Sequence, residues 1–289
     1  MITPSSNAND LVGSLVGSGI TVLGSPNYIG QENQSGGFSD GGDEATGVGF
    51  DTGIVLSTGD VADIAGPNGN SGSETRGLGN TGDDDINTPL GTAGDSDLDQ
   101  LTGGFSTNDA AVLEFDFQFG DGSTGGDLFF SFVFASEEYI DFIDTNFNDV
   151  FGFFVDGVNV ALVPGTNDAI SINTVNDVAN SAFYRNNVAN TNSIPNLNLD
   201  LAFDGMTTVI TAEALGLSAG AHTMKFAVAD TSDGALDAAV FLQGGSFSTD
   251  PGTDPGPGPG PNPVPAPGTM ALLGLGLLAA RSARRKATK

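Results

Sequence analysis

VLEFDFQF, residues 112–119, decides the fold. Leu113, Phe115, Phe117 and Phe119 fall on one side of an extended chain, and Glu114, Asp116 and Gln118 on the other. Successive side chains of a strand point to opposite faces, so alternation at period two marks a half-buried β-strand. LFFSFVFA (128–135) is nearly continuous in apolar residues and fits a central strand covered on both faces. VFGFFVDGVNVALV (150–163) sets Asp156-Gly157 between two apolar runs, a two-residue hairpin signal. GIVLSTGD (53–60), AISIN (169–173), TTVITAEAL (207–215), HTMKFAVAD (222–230) and AAVFLQGGSF (238–247) supply further strands. About eight or nine strands without a sustained helical period predict an all-β fold, an antiparallel β-sandwich of jelly-roll-like form.

Upstream, Asn7 or Asn9 is placed to cap a short helix that carries Leu11, Val12, Leu15 and Val16 on one face and ends at Gly17 and Gly19. Residues 30–106 are Gly- and Asp-rich and read as a structured loop or flap around the strand at 53–60. The acidic run DSDLD (95–99) within it reads as a solvated loop. Residues 249–264 alternate Pro and Gly, which neither pack nor pair, and predict an extended linker after a body of residues 1–248.

Composition removes whole classes of function. The chain of 289 residues has no cysteine and one histidine, His222. A thiol nucleophile, a disulfide framework and Cys-based metal centres are thereby excluded. His222 lies in an alternating strand with no nucleophile motif beside it and reads as a solvent-facing strand residue. Eight basic residues face 36 acidic ones, and five of the basic residues (Arg281, Arg284, Arg285, Lys286, Lys289) close the chain. The rest is strongly anionic, which argues against nucleic acid as a partner. Such a surface repels itself unless cations screen or bind it.

The carboxylates concentrate beside strands. Glu137, Glu138 and Asp141 follow the strand at 128–135; DTNFND ends at Asp149, before the next strand; Asp230, Asp233 and Asp237 precede the last one. Loops at one end of a sandwich cluster in space. Glu137, Glu138, Asp149, Asp230, Asp233 and Asp237 are therefore candidate ligands for Ca²⁺, which takes six to eight oxygens. DTNFND itself lacks the glycine and the closing Glu of an EF-hand loop. Adjacent strand residues face opposite ways, so at most one of Glu137 and Glu138 serves such a site. A solvated acidic surface without an ion is the competing reading. A glycosidase pair is a third, and the lack of Trp and the three Tyr leave it a thin aromatic platform for sugar.

Residues 269–280 are small and apolar, and a basic cluster follows at Arg281, Arg284, Arg285 and Lys286. As a helix the apolar run covers ~18 Å, short of a ~30 Å hydrocarbon core, with arginines placed to snorkel. VPAPGTMALLGLGLLAARSARR (264–285) resembles a PEP-CTERM sorting signal: a short motif at Val264, Pro265, Ala266, Pro267 and Gly268, a brief transmembrane helix, and a basic stop. Ala266 stands where that family has Glu. The resemblance implies residues 265–289 as the signal and an exosortase as processing partner. It implies transient tethering in the inner membrane of a Gram-negative bacterium, then delivery to the outer surface or to an exopolysaccharide matrix.

The body resembles the choice-of-anchor L domain through NDLVGSLVGSGITV, GIVLSTGD, FSFVFASEEYIDF, NDVFGFFVDG, SINTVN, FYRNN, FDGMTTVITA and ADTSDGALDAAVFL, in this order from about residue 7 to 247. That family implies an exported bacterial protein and brings no enzymatic activity. The first residues show neither a basic region nor an apolar run of a signal peptide, and the expectation is a misassigned start with Met1 internal to the exported precursor. The expected role is structural or adhesive and not enzymatic. A calcium-dependent, lectin-like carbohydrate-binding module is the alternative, and a glycoside hydrolase stands behind both.

Overall fold

The computed structural model describes residues 1–66, 86–188 and 195–252. Strand β1 (Ile2–Pro4) precedes helix α1 (Ala8–Leu15), followed by β2 (Ile20–Ile29), β3 (Ser35–Phe38) and β4 (Gly53–Ser57). Helix α2 (Ser96–Leu101) leads into the long strands β5 (Thr107–Phe119) and β6 (Gly126–Ser136). Then come β7 (Val150–Val155), β8 (Val158–Asn159), β9 (Tyr184–Asn186), β10 (Gly205–Thr207), β11 (Ile210–Leu217), β12 (His222–Thr231) and β13 (Ala238–Gln243).

Two antiparallel sheets result. The first runs β1-β3-β4-β13-β6-β10-β9, with β11 also on β6; the second runs β2-β5-β12-β7-β8. Their facing sides make the main core. Leu113, Phe115, Phe117 and Phe119 of β5, Phe151 and Phe153 of β7 and Phe226 of β12 join Phe130, Phe132 and Phe134 of β6 there. Ring centroids of Phe153 lie 5.0, 4.9 and 5.0 Å from those of Phe130, Phe132 and Phe226, all edge to face, the arrangement the ring quadrupole favours.

The continuous apolar run of β6 has a plain cause. Its other face, with Val133 and Ala135, packs against Phe38, Phe50, Phe203 and Phe241 in a second core. A third, smaller core lies outside the second sheet, where α2 sets Leu98 against Val112, Phe154 and Ala227. Helix α1 forms as expected: Asn7 caps it by accepting the Asn9 amide at 3.1 Å, and Leu11, Val12 and Leu15 are buried.

Three expectations are corrected. DSDLD is not a solvated loop but the start of α2. The Asp95 carboxylate caps it by accepting the Asp97 and Leu98 amides, and Lys225 donates to Asp95 at 2.6 Å and Asp97 at 2.8 Å. AISIN is not a named strand; it makes isolated bridges at Ala169 and Ser171. Thr174 Oγ1 accepts the Ser171 amide, and the Thr174 and Val175 amides return to the Ser171 carbonyl. Local Ser/Thr bonding has displaced the ladder.

His222 does not face solvent. It is 4 % exposed, and its ring lies 5.5 Å from that of Phe117. Its nitrogens reach Asp156 Oδ2 at 2.7 Å and the Ser218 carbonyl at 2.9 Å. Burial works against its charge, yet the Asp156 and Ser218 bonds outweigh it and raise the pKa. Burial likewise opposes ionisation of Asp156, but its bonds with His222 and Thr223 hold it below the carboxylate range.

A raised histidine stabilises fully below its unfolded value, near 6.5, and loses that as pH rises through the folded value. A lowered Asp stabilises above about 4 and loses that on acidification. The stability gap between wild type and His222→Asn should therefore be widest between about pH 4 and 6.5 and shrink above. The electrostatic part stays below about 1 kcal/mol, because the Asp156 side chain is 48 % exposed. Urea denaturation at pH 5.5 and 8.5 measures it; equal gaps at both would refute the pairing.

Candidate functional site

Strand pairing builds an acidic corner. Ala238 of β13 pairs with Ser136 of β6, and just beyond, the Glu137 amide donates to the Asp237 carbonyl at 3.1 Å. In the other sheet Ala229 of β12 pairs with Val150 of β7, so Asp230 and Asp149 are the next residues along that ladder. Acids at strand ends of both sheets are thus delivered to one end of the sandwich. Glu137, Glu138, Asp149, Asp230 and Asp237 are each at most 3 % exposed, while Asp233 is exposed.

Two sets with different work share this corner. Glu137, Asp237 and Asp109 hold the flap segment 86–93. The Ile86 amide donates to Glu137 Oε1, Thr88 to Asp237 Oδ1, Leu90 to Asp109 Oδ2 and Thr92 to Asp109 Oδ1. Alternate amides of an extended segment thus find carboxylates in place of a partner strand. The other Glu137 oxygen accepts the Asp204 amide. Gly59 admits this set: a Cβ there would lie 1.8 Å from Asp237 Oδ2.

The second set is Glu138, Asp149, Asp230 and Asp233. The Ser136 hydroxyl accepts the Glu138 amide at 3.0 Å and donates to Asp149 Oδ2 at 2.9 Å, and Glu138 Oε2 accepts the Asp149 amide at 3.1 Å. Asp149 Oδ1, Asp230 Oδ1 and Asp237 Oδ2 are buried without a hydrogen-bond partner. Burial, then the charge of Asp149, pushes Glu138 well above the usual carboxylate range. Burial lifts Asp149 to about 8, against favourable contacts from Ser136 and the Thr231 amide. Asp230 is driven well up by burial and then by Asp149, with Asp237 and Glu138 adding to it. Burial also raises Asp233 and Asp237.

The described cations are engaged elsewhere. Lys225 serves Asp95 and Asp97, and His222 serves Asp156. Arg185 spends its guanidinium on the carbonyls of Glu44, Gly47, Val48 and Thr207.

Of the six sequence candidates, Glu137 is thus occupied by Ile86 and Asp204, and Glu138 faces Asp149. Sequence reading missed Asp109 and Ser136. A positive φ of 48° at buried Asp109 marks it in the structure, but nothing near it in sequence announces the flap it holds.

The body as a whole, residues 2–248, matches the family description "Choice-of-anchor L domain". The chain belongs to the choice-of-anchor L family. Residues 263–286 match the PEP-CTERM protein-sorting motif. No curated protein and no solved structure matches the chain. Together the two family matches mark this choice-of-anchor L protein as exported and sorted to the cell surface, and the motif implies processing by an exosortase. Val264, Pro265, Ala266, Pro267, Gly268, Arg281, Arg284, Arg285 and Lys286 lie outside the described residues, as do the expected apolar helix and most of the linker. Among the described residues no helix is long and apolar enough to cross a membrane.

Proposed function

We propose that this choice-of-anchor L protein is a display module of the bacterial surface. It is released from inner-membrane tethering by an exosortase and lodged in, or on, extracellular polysaccharide, where it serves a structural or adhesive role without catalysis. The order of parts carries this reading: a β-sandwich matching through residue 248, a Pro/Gly stretch, and a sorting motif at 263–286.

The acids bear on the alternatives. Glu138 and Asp149, the nearest thing to a hydrolytic pair, are 2 % and 0 % exposed, and the Glu138 carboxylate accepts the Asp149 backbone amide, which supports a role inside the fold and not on a glycosidic bond. Among the described residues Phe105 is the one aromatic classed as exposed, at 43 %, so a stacking platform for sugar has little support.

Expression with and without the host exosortase tests the proposal, read by protease accessibility on intact cells and by co-sedimentation with exopolysaccharide. The full chain should become protease-accessible and matrix-associated only when the exosortase is present. A variant lacking residues 265–289 should not. Identical fractionation of the two chains would remove the reading.

A further inference from the structure

The corner's second set of acids poses an electrostatic problem that its protein neighbours leave unsolved. Glu138, Asp149 and Asp230 come from three strand ends and are at most 2 % exposed; Glu138 accepts the Asp149 amide at 3.1 Å, and Asp230 and Asp149 are next along the β12–β7 ladder. Two of them carry a buried oxygen without a hydrogen-bond partner. A buried carboxylate oxygen left unpaired costs more than a hydrogen bond returns. Several in one place mark a spot where another positive group belongs, and the described cations are committed elsewhere.

We propose that Glu138, Asp149 and Asp230 are ligands of one calcium ion, with Asp233 on its solvent side and Asp237 flanking it through its unpartnered oxygen. The inference stands apart from the proposed surface role; either can fail alone.

The donor set selects the ion. All the candidate donors are carboxylate oxygens, with no sulfur and no imidazole among them, and such a set suits hard cations. Three carboxylates supply up to six oxygens, within the range calcium takes. The smaller magnesium demands near-ideal octahedral geometry and keeps its waters. Among the described residues no group of three or more His, Asp or Glu side chains is arranged to hold a metal ion as it stands. Binding therefore requires the carboxylates to rotate onto the ion. Access is from the 232–236 loop. Asp233 is exposed there, Ser232 and Leu236 hold positive φ, and the Ser232 hydroxyl ties the loop to the Asn146 carbonyl.

Calcium titration of the full chain after EDTA treatment, followed by thermal melting, decides it. At calcium a hundredfold above its dissociation constant, the melting midpoint should rise by about 5–10 °C. Asp230→Asn and Glu138→Gln should each abolish most of that rise. Both should melt no lower than wild type without calcium, because each removes a repelling charge; this separates a lost site from a failed fold. Asp116→Asn and Glu213→Gln, at exposed positions, should leave the rise intact. Terbium offers a second readout: Tyr139, wholly buried and next to Glu138 in the chain, should sensitise its emission, and calcium should quench it by displacement. No rise in wild type, or a rise kept in Asp230→Asn and Glu138→Gln, would overturn the site. An equal rise with magnesium would overturn the assignment to calcium.

Discussion

Arg185→Met should lower the free energy of unfolding by about 3–5 kcal/mol, the largest polar effect in the body. Arg185 is 5 % exposed. Its Nε donates to the Thr207 carbonyl at 2.8 Å, and its Nη atoms donate to the carbonyls of Glu44, Gly47 and Val48 at 2.7–3.0 Å. Methionine fills similar volume but leaves four carbonyls, three of them buried, without this donor, and the 44–48 loop loses its hold on β9 and β10. Burial lowers the guanidinium pKa to about 10, with the charge of Glu44 opposing, so the group stays charged at neutral pH. Lysine is expected to rescue little, since an ammonium lacks the planar fork that spans these acceptors. With total stabilities of about 5–15 kcal/mol, the variant sits near the edge of folding. Guanidinium titration checks it; a loss under 1 kcal/mol would show that water replaces the fork.

Phe247→Ala should cost about 3–5 kcal/mol through cavity formation. The residue lies at the very end of the body, yet it is wholly buried. Its ring centroid is 5.2 Å from Phe115, 5.1 Å from Phe117, 5.8 Å from Phe130 and 6.1 Å from Phe226. It closes the main core from the side, at a parallel bridge to Val16. A chain ending at Gly245 should therefore fail to fold, whereas one ending at Gly252 should melt like the full chain. Circular dichroism melts of the two truncations measure this, and equal midpoints would refute the closing role.

The strands were legible where phenylalanine recurs at period two. In β5 burial follows the written pattern, and the Asp156-Gly157 turn takes the positive φ values of 51° and 81° that its sequence asks for. Helix α2 was hidden because a single fully buried leucine, Leu98, anchors it and its cap is one of several aspartates. His222 was misread because its partners come from elsewhere: Phe117 across the ladder, Asp156 on the next hairpin. The acidic corner shows the same division. Local pattern places acids at strand ends, but which oxygen meets which amide depends on the return of segment 86–93, far away in sequence.

Phe247 also fixes where tension from an anchor would enter. Its amide and carbonyl bond the Leu15 carbonyl and Gly17 amide; Ser248 exchanges two bonds with Phe129; the Thr249 amide reaches Ser18. The exit strand is thus gripped on both flanks, by the α1–β2 junction and by β6. A pull along it shears five backbone bonds at once instead of unzipping them in turn. A protein moored by its C-terminus in moving fluid would thus meet drag at a seam built to share it.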